Sequence, residues 1–111
     1  MPADPRLSGT MPLLVLTVVA DEELYGYEIA QRIRERSGGA FAPSEGSLYP
    51  ALHRLEADGA LQATWRASDV GPRRRYYKLT SAGHGLLAEQ RDRFSAFVAG
   101  VQGVTTGGID G

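Results

Sequence analysis

"GSLYPALHRLEADG", Gly46–Gly59, is the stretch on which the fold turns. Leu48, Leu52 and Leu55 recur at the spacing of one helical face, and Gly59 stands where a helix stops. Pro50 conflicts with that pattern, because a proline inside a helix removes a backbone donor and crowds the preceding turn. The conflict disappears if the helix begins late. With Ser47 as N-cap, Pro50 is the third helical residue, where amides have no intrahelical partner to lose. Ser44 then shapes the preceding turn. Stepping about 100° per residue from Leu48 puts Pro50, His53 and Ala57 opposite the leucines, with Ser47, Tyr49 and Arg54 on the flanks.

Working outward, the periodicity changes from helical to alternating after Gly59. Leu61, Ala63 and Trp65 alternate with Gln62, Thr64 and Arg66, as in a half-buried strand. "ASDVGPRR" is turn chemistry. "RRYYKL" then alternates Arg75, Tyr77 and Leu79 against Arg74, Tyr76 and Lys78, so the two runs predict an antiparallel hairpin. Upstream, "MPLLVLTVVA" is apolar nearly all round and predicts a buried first helix from Thr10, its cap, to Ala20, with Pro12 in the first turn. Asp21 to Leu24 reads as a polar break. "YGYEIAQRIRERSGG" predicts a second helix that buries Ile29, Ala30 and Ile33 and stops at Gly38-Gly39. Phe41 is expected to plug into the core, and Tyr27 and Tyr77 to belong to it.

Thr80 is expected to cap a fourth helix, on which Leu87, Phe94 and Val101 stand seven residues apart with Phe97 and Val98 beside them. So long an apolar stripe on a terminal helix exceeds what a small body covers, so Leu87, Phe94, Phe97, Val98 and Val101 predict a partner helix. The fold class expected is mainly α with a small β-hairpin: a winged helix-turn-helix over residues 10–80, a dimerisation helix over 81–102, a flexible arm over 1–9 and a disordered tail over 103–111.

Three helices followed by a hairpin is the order in which the third helix enters a DNA major groove and the hairpin tracks the backbone. The charge distribution agrees. Across 111 residues the net charge is only −1, yet between Leu61 and Thr80 five basic residues (Arg66, Arg73, Arg74, Arg75, Lys78) face one acid, Asp69. A local basic patch on a neutral chain is a recognition feature. Candidate DNA contacts are therefore Ser44, Ser47, Tyr49, Pro50, His53 and Arg54 around the third helix, and Arg73, Arg74 and Arg75 at the hairpin. An ordinary solvated helix face and a solvated basic triplet are the plainer readings of the same residues.

The chemistry of catalysis is missing from the pattern. His53 and His84 fall on separate helices, with no carboxylate or thiol at ligand spacing, and the chain has no cysteine. Gly38-Gly39 ends a helix and Gly83-x-Gly85 lies inside one, so neither is a phosphate loop. No enzyme, metal or cofactor is expected. The longest apolar run, Met11 to Ala20, is about half the ~20 residues a membrane span requires, and a cytoplasmic location is expected.

"YGYEIAQRI", "PSEGSLYPALHRLEADGAL" and "GPRRRYYKLTSAG" together resemble PadR-family transcriptional regulators, over roughly Leu13 to Leu87. The resemblance implies a winged-helix domain, dimerised through its C-terminal helix, that binds operator DNA as an inverted repeat and usually represses. It maps the reading helix onto Ser47, Leu48, Tyr49, Pro50, Leu52 and Leu55, and the base of the wing onto Arg73 to Tyr77. The chain departs from the family pattern at Tyr25, where histidine is common, and at Glu22-Glu23, which set two acids in place of a Gly-Pro-like turn. A single helix after the wing resembles the short members. Kinship further implies a small aromatic effector, for which Phe94 and Phe97 would form a cavity at the two-fold axis. Two other readings stay open: a winged helix that docks proteins, and an effector-binding protein without affinity for DNA.

Overall fold

A computed structural model describes residues 5–107. The elements are α1 (Pro5–Asp21), β1 (Leu24–Tyr25), α2 (Gly26–Arg36), α3 (Glu45–Ala57), β2 (Leu61–Arg66), β3 (Arg74–Leu79) and α4 (Ser81–Thr105). α1 is the centre of the molecule and packs on α2, α3, α4 and β3. Its Met11, Val15, Leu16, Val18 and Val19 are all buried, as an all-round apolar helix requires. Leu24, Ile29, Ile33, Leu48, Leu52, Leu55, Leu61 and Tyr77 complete the same core. Burial pushes the Tyr77 phenol above its ordinary pKa, with Arg75 opposing the shift, so the ring stays neutral inside the core.

Several boundaries differ from the sequence reading. α1 begins at Pro5, so the arm expected over 1–9 is helical from that residue on, and residues 1–4 lie outside the described residues. Thr10 is inside the helix and not its cap. Proline does mark the helix start, but at Pro5; Pro12 is internal, and the missing amide is tolerated within a helix held by its buried face. The polar break is also a strand. Leu24 and Tyr25 pair antiparallel with Tyr77 and Tyr76, which makes a three-stranded sheet in the order β1-β3-β2. Two residues carry no periodicity, so only the neighbouring β3 reveals this strand. The hairpin itself has the expected limits, from Leu61 opposite Leu79 to Arg66 opposite Arg74.

The third correction concerns α3. Ser44, not Ser47, is the N-cap: the Ser47 amide donates to Ser44 Oγ at 3.3 Å, and the Ser44 amide to Ser47 Oγ at 3.2 Å. The two serines satisfy each other's amides as a capping box, a role that Glu or Gln usually fills at the third position. Pro50 is then the sixth helical residue, where its ring leaves the Gly46 carbonyl without an intrahelical donor. Gly46 and Pro50 are both exposed, so solvent takes the donor's place. Ser44→Ala should lower stability by about 1 kcal/mol, measured by urea denaturation, because it removes the oxygen that accepts the Ser47 amide.

The end of α3 follows the sequence. Gly59, at φ +81°, donates to Glu56 O at 3.0 Å and Ala60 to Leu55 O at 2.9 Å, a Schellman stop. Thr80 caps α4, its Oγ1 accepting from the Gly83 amide at 3.0 Å and donating to Gly59 O at 2.6 Å. One hydroxyl thus joins the end of α3 to the start of α4.

α4 runs to Thr105, three residues past its expected end; of the tail expected over 103–111, residues 108–111 lie outside the described residues. Leu87 is buried in the core of its own chain, which corrects its assignment to a dimer surface. Beyond it the apolar stripe is uncovered: Phe94, Phe97 and Val101 are exposed, Phe97 by 67%, Val98 is half-buried, and Val104 extends the stripe.

Candidate nucleic-acid interface

α3 presents two flanks to solvent. Tyr49, His53 and Glu56, spaced four and three apart, lie toward the wing formed by β2 and β3. Arg54 lies on the other flank with Ala51 and Asp58, facing Pro12 of α1 and Gln90 of α4. Pro50 lies between the flanks, exposed.

A cleft of about 350 Å³ opens between α3 and the wing. Tyr49 and His53 form one wall, Trp65, Arg73, Arg74 and Arg75 the other, and Tyr25 and Gly26 close one end. None of the lining residues is acidic. Gly26 matters to the geometry, because a Cβ there would stand 2.8 Å from Tyr49 Oη. The missing side chain allows the Tyr49 ring to lie against the first turn of α2.

The arginine triplet divides. Arg75 Nη2 bonds Glu56 Oε2 at 2.5 Å, between the rings of Trp65 and Tyr77 at 5.9 and 5.8 Å. The residue expected to contact DNA is thus ion-paired within its own chain. Arg74 lies over Tyr25 at 4.5 Å, and Arg73 lies 5.9 Å from Trp65. Neither has a carboxylate within ion-pair distance among the described residues. Strand alternation explains the division, since Arg75 shares the inward face with Tyr77.

The wing carries features that composition alone does not reveal. Trp65, expected on the buried face of its strand, is 58% exposed, because the hairpin extends past the body of the domain at that end. Tyr27, expected in the core, is 63% exposed and stacks on Tyr25 at 6.3 Å. Tyr25 in turn meets Tyr76 at 5.4 Å, and Arg66 covers Tyr76 at 4.4 Å. At the tip, Ser68 Oγ lies within 3.2 Å of the carbonyls of Val70, Gly71 and Pro72 and folds the loop on itself.

Each of the three acids next to β1 is ion-paired with an arginine. Asp21 pairs with Arg36 at 2.7 Å, Glu22 with Arg32 at 3.0 Å, and Glu23 with Arg66. Two of these cations come from α2 and one from β2, ten or more residues from the acid, which a local charge count does not see. Ser44 and Ser47 spend their hydroxyls mainly on the helix cap. Among the described residues no cluster of His, Cys, Asp and Glu is suited to a metal ion, and no helix is long and apolar enough to cross a membrane.

Comparison with known proteins agrees with this architecture. Residues 15–89 match the PadR-like family of transcriptional regulators. The chain is 41% identical over 98 residues to the transcriptional regulator Rv3488 of Mycobacterium tuberculosis, covering 86% of this chain and 88% of that protein. Among solved structures, smu.1704 from Streptococcus mutans superposes with a TM-score of 0.81 at 29% identity over 99% of both chains. A transcriptional regulator from Clostridium thermocellum reaches 0.83 at 23% identity, over 89% of this chain and 96% of its own, a likeness of fold. With the three helices, the wing and the matched residues in agreement, the chain belongs to the PadR-like family of transcriptional regulators.

Proposed function

We propose that the protein is a homodimeric, sequence-specific DNA-binding repressor acting in the cytoplasm. The exposed face of α3 enters a major groove, and the wing lies on the adjoining backbone. One observation carries the reading: a helix flank bearing Tyr49 and His53, and a wing whose Arg73 and Arg74 have no carboxylate partner among the described residues, border a single cleft without an acid in its lining. Small residues and proline on α3 allow its backbone close to base edges; His53 reaches base acceptors, and Tyr49 reaches phosphate. Arg54, on the far flank, reaches the phosphates across the groove.

Phe94, Phe97, Val98 and Val101 form the dimer contact on α4, extended by Val104 in place of Leu87. The stripe is supported as an interface because its phenylalanines and Val101 stay exposed, with no cover among the described residues of their own chain. Two-fold symmetry then calls for an inverted-repeat operator, with recognition helices about one helical turn apart. Phe94 and Phe97, paired across that axis, supply aromatic walls for a flat small-molecule effector whose binding releases the DNA.

The test is to select genomic duplex fragments with the purified protein at about 150 mM salt and sequence them. Enriched fragments should share an inverted repeat with half-sites about ten base pairs apart. No retention of any duplex at that salt would overturn the proposal.

A further inference from the structure

Arg75 has the sequence context of a phosphate contact and the surroundings of a structural part. Its Nη2 is 2.5 Å from Glu56 Oε2, and its guanidinium lies between the Trp65 and Tyr77 rings. Among the described residues its Nε is buried without a hydrogen-bond partner, while the side chain as a whole keeps about a third of its surface exposed. Glu56 lies in the last turn of α3, while Arg75 and Trp65 face each other across the wing strands. The pair is thus an ionic link between the helix proposed to read bases and the hairpin proposed to hold the backbone. Tyr77 is buried beneath it, so the link rests on the core and cannot slide freely.

We infer that Glu56 and Arg75 are positioning residues that set the angle between α3 and the wing, and thereby the selectivity for operator over other DNA. The inference rests on the DNA-binding reading. Phosphate contacts made by Arg73 and Arg74 are sequence-independent and tolerate a small change of wing angle, because mobile side chains follow the backbone. Base-edge contacts do not tolerate it, since they need both surfaces seated together. The link therefore governs the ratio of specific to non-specific affinity and leaves the phosphate count unchanged.

Glu56 makes the sign of the effect decisive. Removing an acid from a DNA-binding face ordinarily strengthens binding to every duplex, by relieving repulsion and freeing a cation. A positioning role predicts the opposite for the operator alone. The experiment compares an inverted-repeat duplex recovered by selection with a mixed-sequence duplex of equal length, by fluorescence anisotropy across a salt series. For Glu56→Gln, affinity for the selected duplex should fall about tenfold, as expected when a coupled pair is broken, while the mixed duplex binds as well or better. Arg75→Lys keeps the charge but loses the planar group between the two rings. It should lose operator affinity to a similar extent, with the salt slope unaltered. Emission from Trp65, the sole tryptophan, reports directly on the link in each variant and should shift in both.

Equal strengthening on both duplexes by Glu56→Gln would overturn the inference, as would a salt slope flattened by about two units per dimer in Arg75→Ala, the mark of a phosphate contact. Should either variant fold poorly, the double substitution Glu56→Gln with Arg75→Met removes both charges and leaves a long, unbranched apolar side chain at the ring contacts. Loss of selectivity there supports the link, and unchanged selectivity overturns it. If the wild-type protein binds neither duplex, the DNA-binding reading itself fails, a result separate from all of these.

Discussion

Gly83→Ala should destabilise the protein by about 3 kcal/mol, although it replaces glycine by the best helix former inside a helix. A Cβ at Gly83 would stand 2.2 Å from the Ala60 carbonyl oxygen, and 2.7 and 2.9 Å from Cδ1 and Cγ of Leu79. The carbonyl belongs to the backbone and cannot rotate away as a side-chain tip would. It also accepts from the Thr80 amide at 3.1 Å and from Thr80 Oγ1 at 3.1 Å, so moving it loosens the cap of α4. Relief requires the first turn of α4 to lift from the α3–β2 junction. Helix propensity alone predicts a gain of up to about 1 kcal/mol, opposite in sign, so one urea denaturation series separates the two effects. Gly85→Ala is the control. It lies two residues on in the same helix with nothing within 4 Å of its added Cβ, and it should stabilise the protein by up to about 1 kcal/mol. If Gly83→Ala behaves like Gly85→Ala, the close approach of α4 to Ala60 is wrong.

Replacing Arg73 and Arg74 together by alanine should weaken DNA binding by roughly two orders of magnitude at physiological salt and flatten its salt dependence. Arg73, Arg74 and Arg54 in each subunit amount to roughly six phosphate contacts, which corresponds to a log–log slope near −5. Each single substitution removes two contacts from a dimer and should reduce the slope by about two units; the double substitution leaves a slope near −2. The loss should be similar on selected and mixed-sequence duplexes, because phosphates carry no sequence. This is the pattern opposite to that expected of Glu56 and Arg75. Arg74→Lys adds a finer measurement, since the charge remains while the contact with the Tyr25 ring at 4.5 Å is lost, so the slope should hold as affinity falls modestly. An unaltered slope in the double variant would remove both arginines from the contact set.

Arginines 73 to 75 also illustrate how far a sequence carries. The alternation of "RRYYKL" was enough to place Tyr77 inside and to say that the triplet could not face one way. It could not say which arginine was committed, because Glu56 lies nineteen residues away on another element. A partial signal was present: Tyr49, His53 and Glu56 share one helix flank, so an acid was bound to stand near whatever packs there. The same limit applies to Glu22 and Glu23, which look unneutralised in sequence and are paired with Arg32 and Arg66 in space. Tyr27 and Trp65 were misplaced for a related reason. Periodicity reports which face an element turns inward, but not how far the body it packs against extends.

By itself, the sequence determined the number and order of the helices, the hairpin limits, the glycine stop of α3 and the cap of α4, together with the apolar stripe beyond Leu87. These depend on backbone hydrogen bonds and burial within a few residues, and local spacing encodes them directly. Only the tertiary structure decided that Ser44 opens α3, that Leu24 and Tyr25 form a strand, that Gly83 admits no side chain, and that Arg75 belongs to Glu56. Each of these but the first is an interaction between residues far apart in the chain, and the cap is a choice between two serines that either local pattern allows. Such contacts exist only once the core has fixed the elements against one another, so no local window contains them.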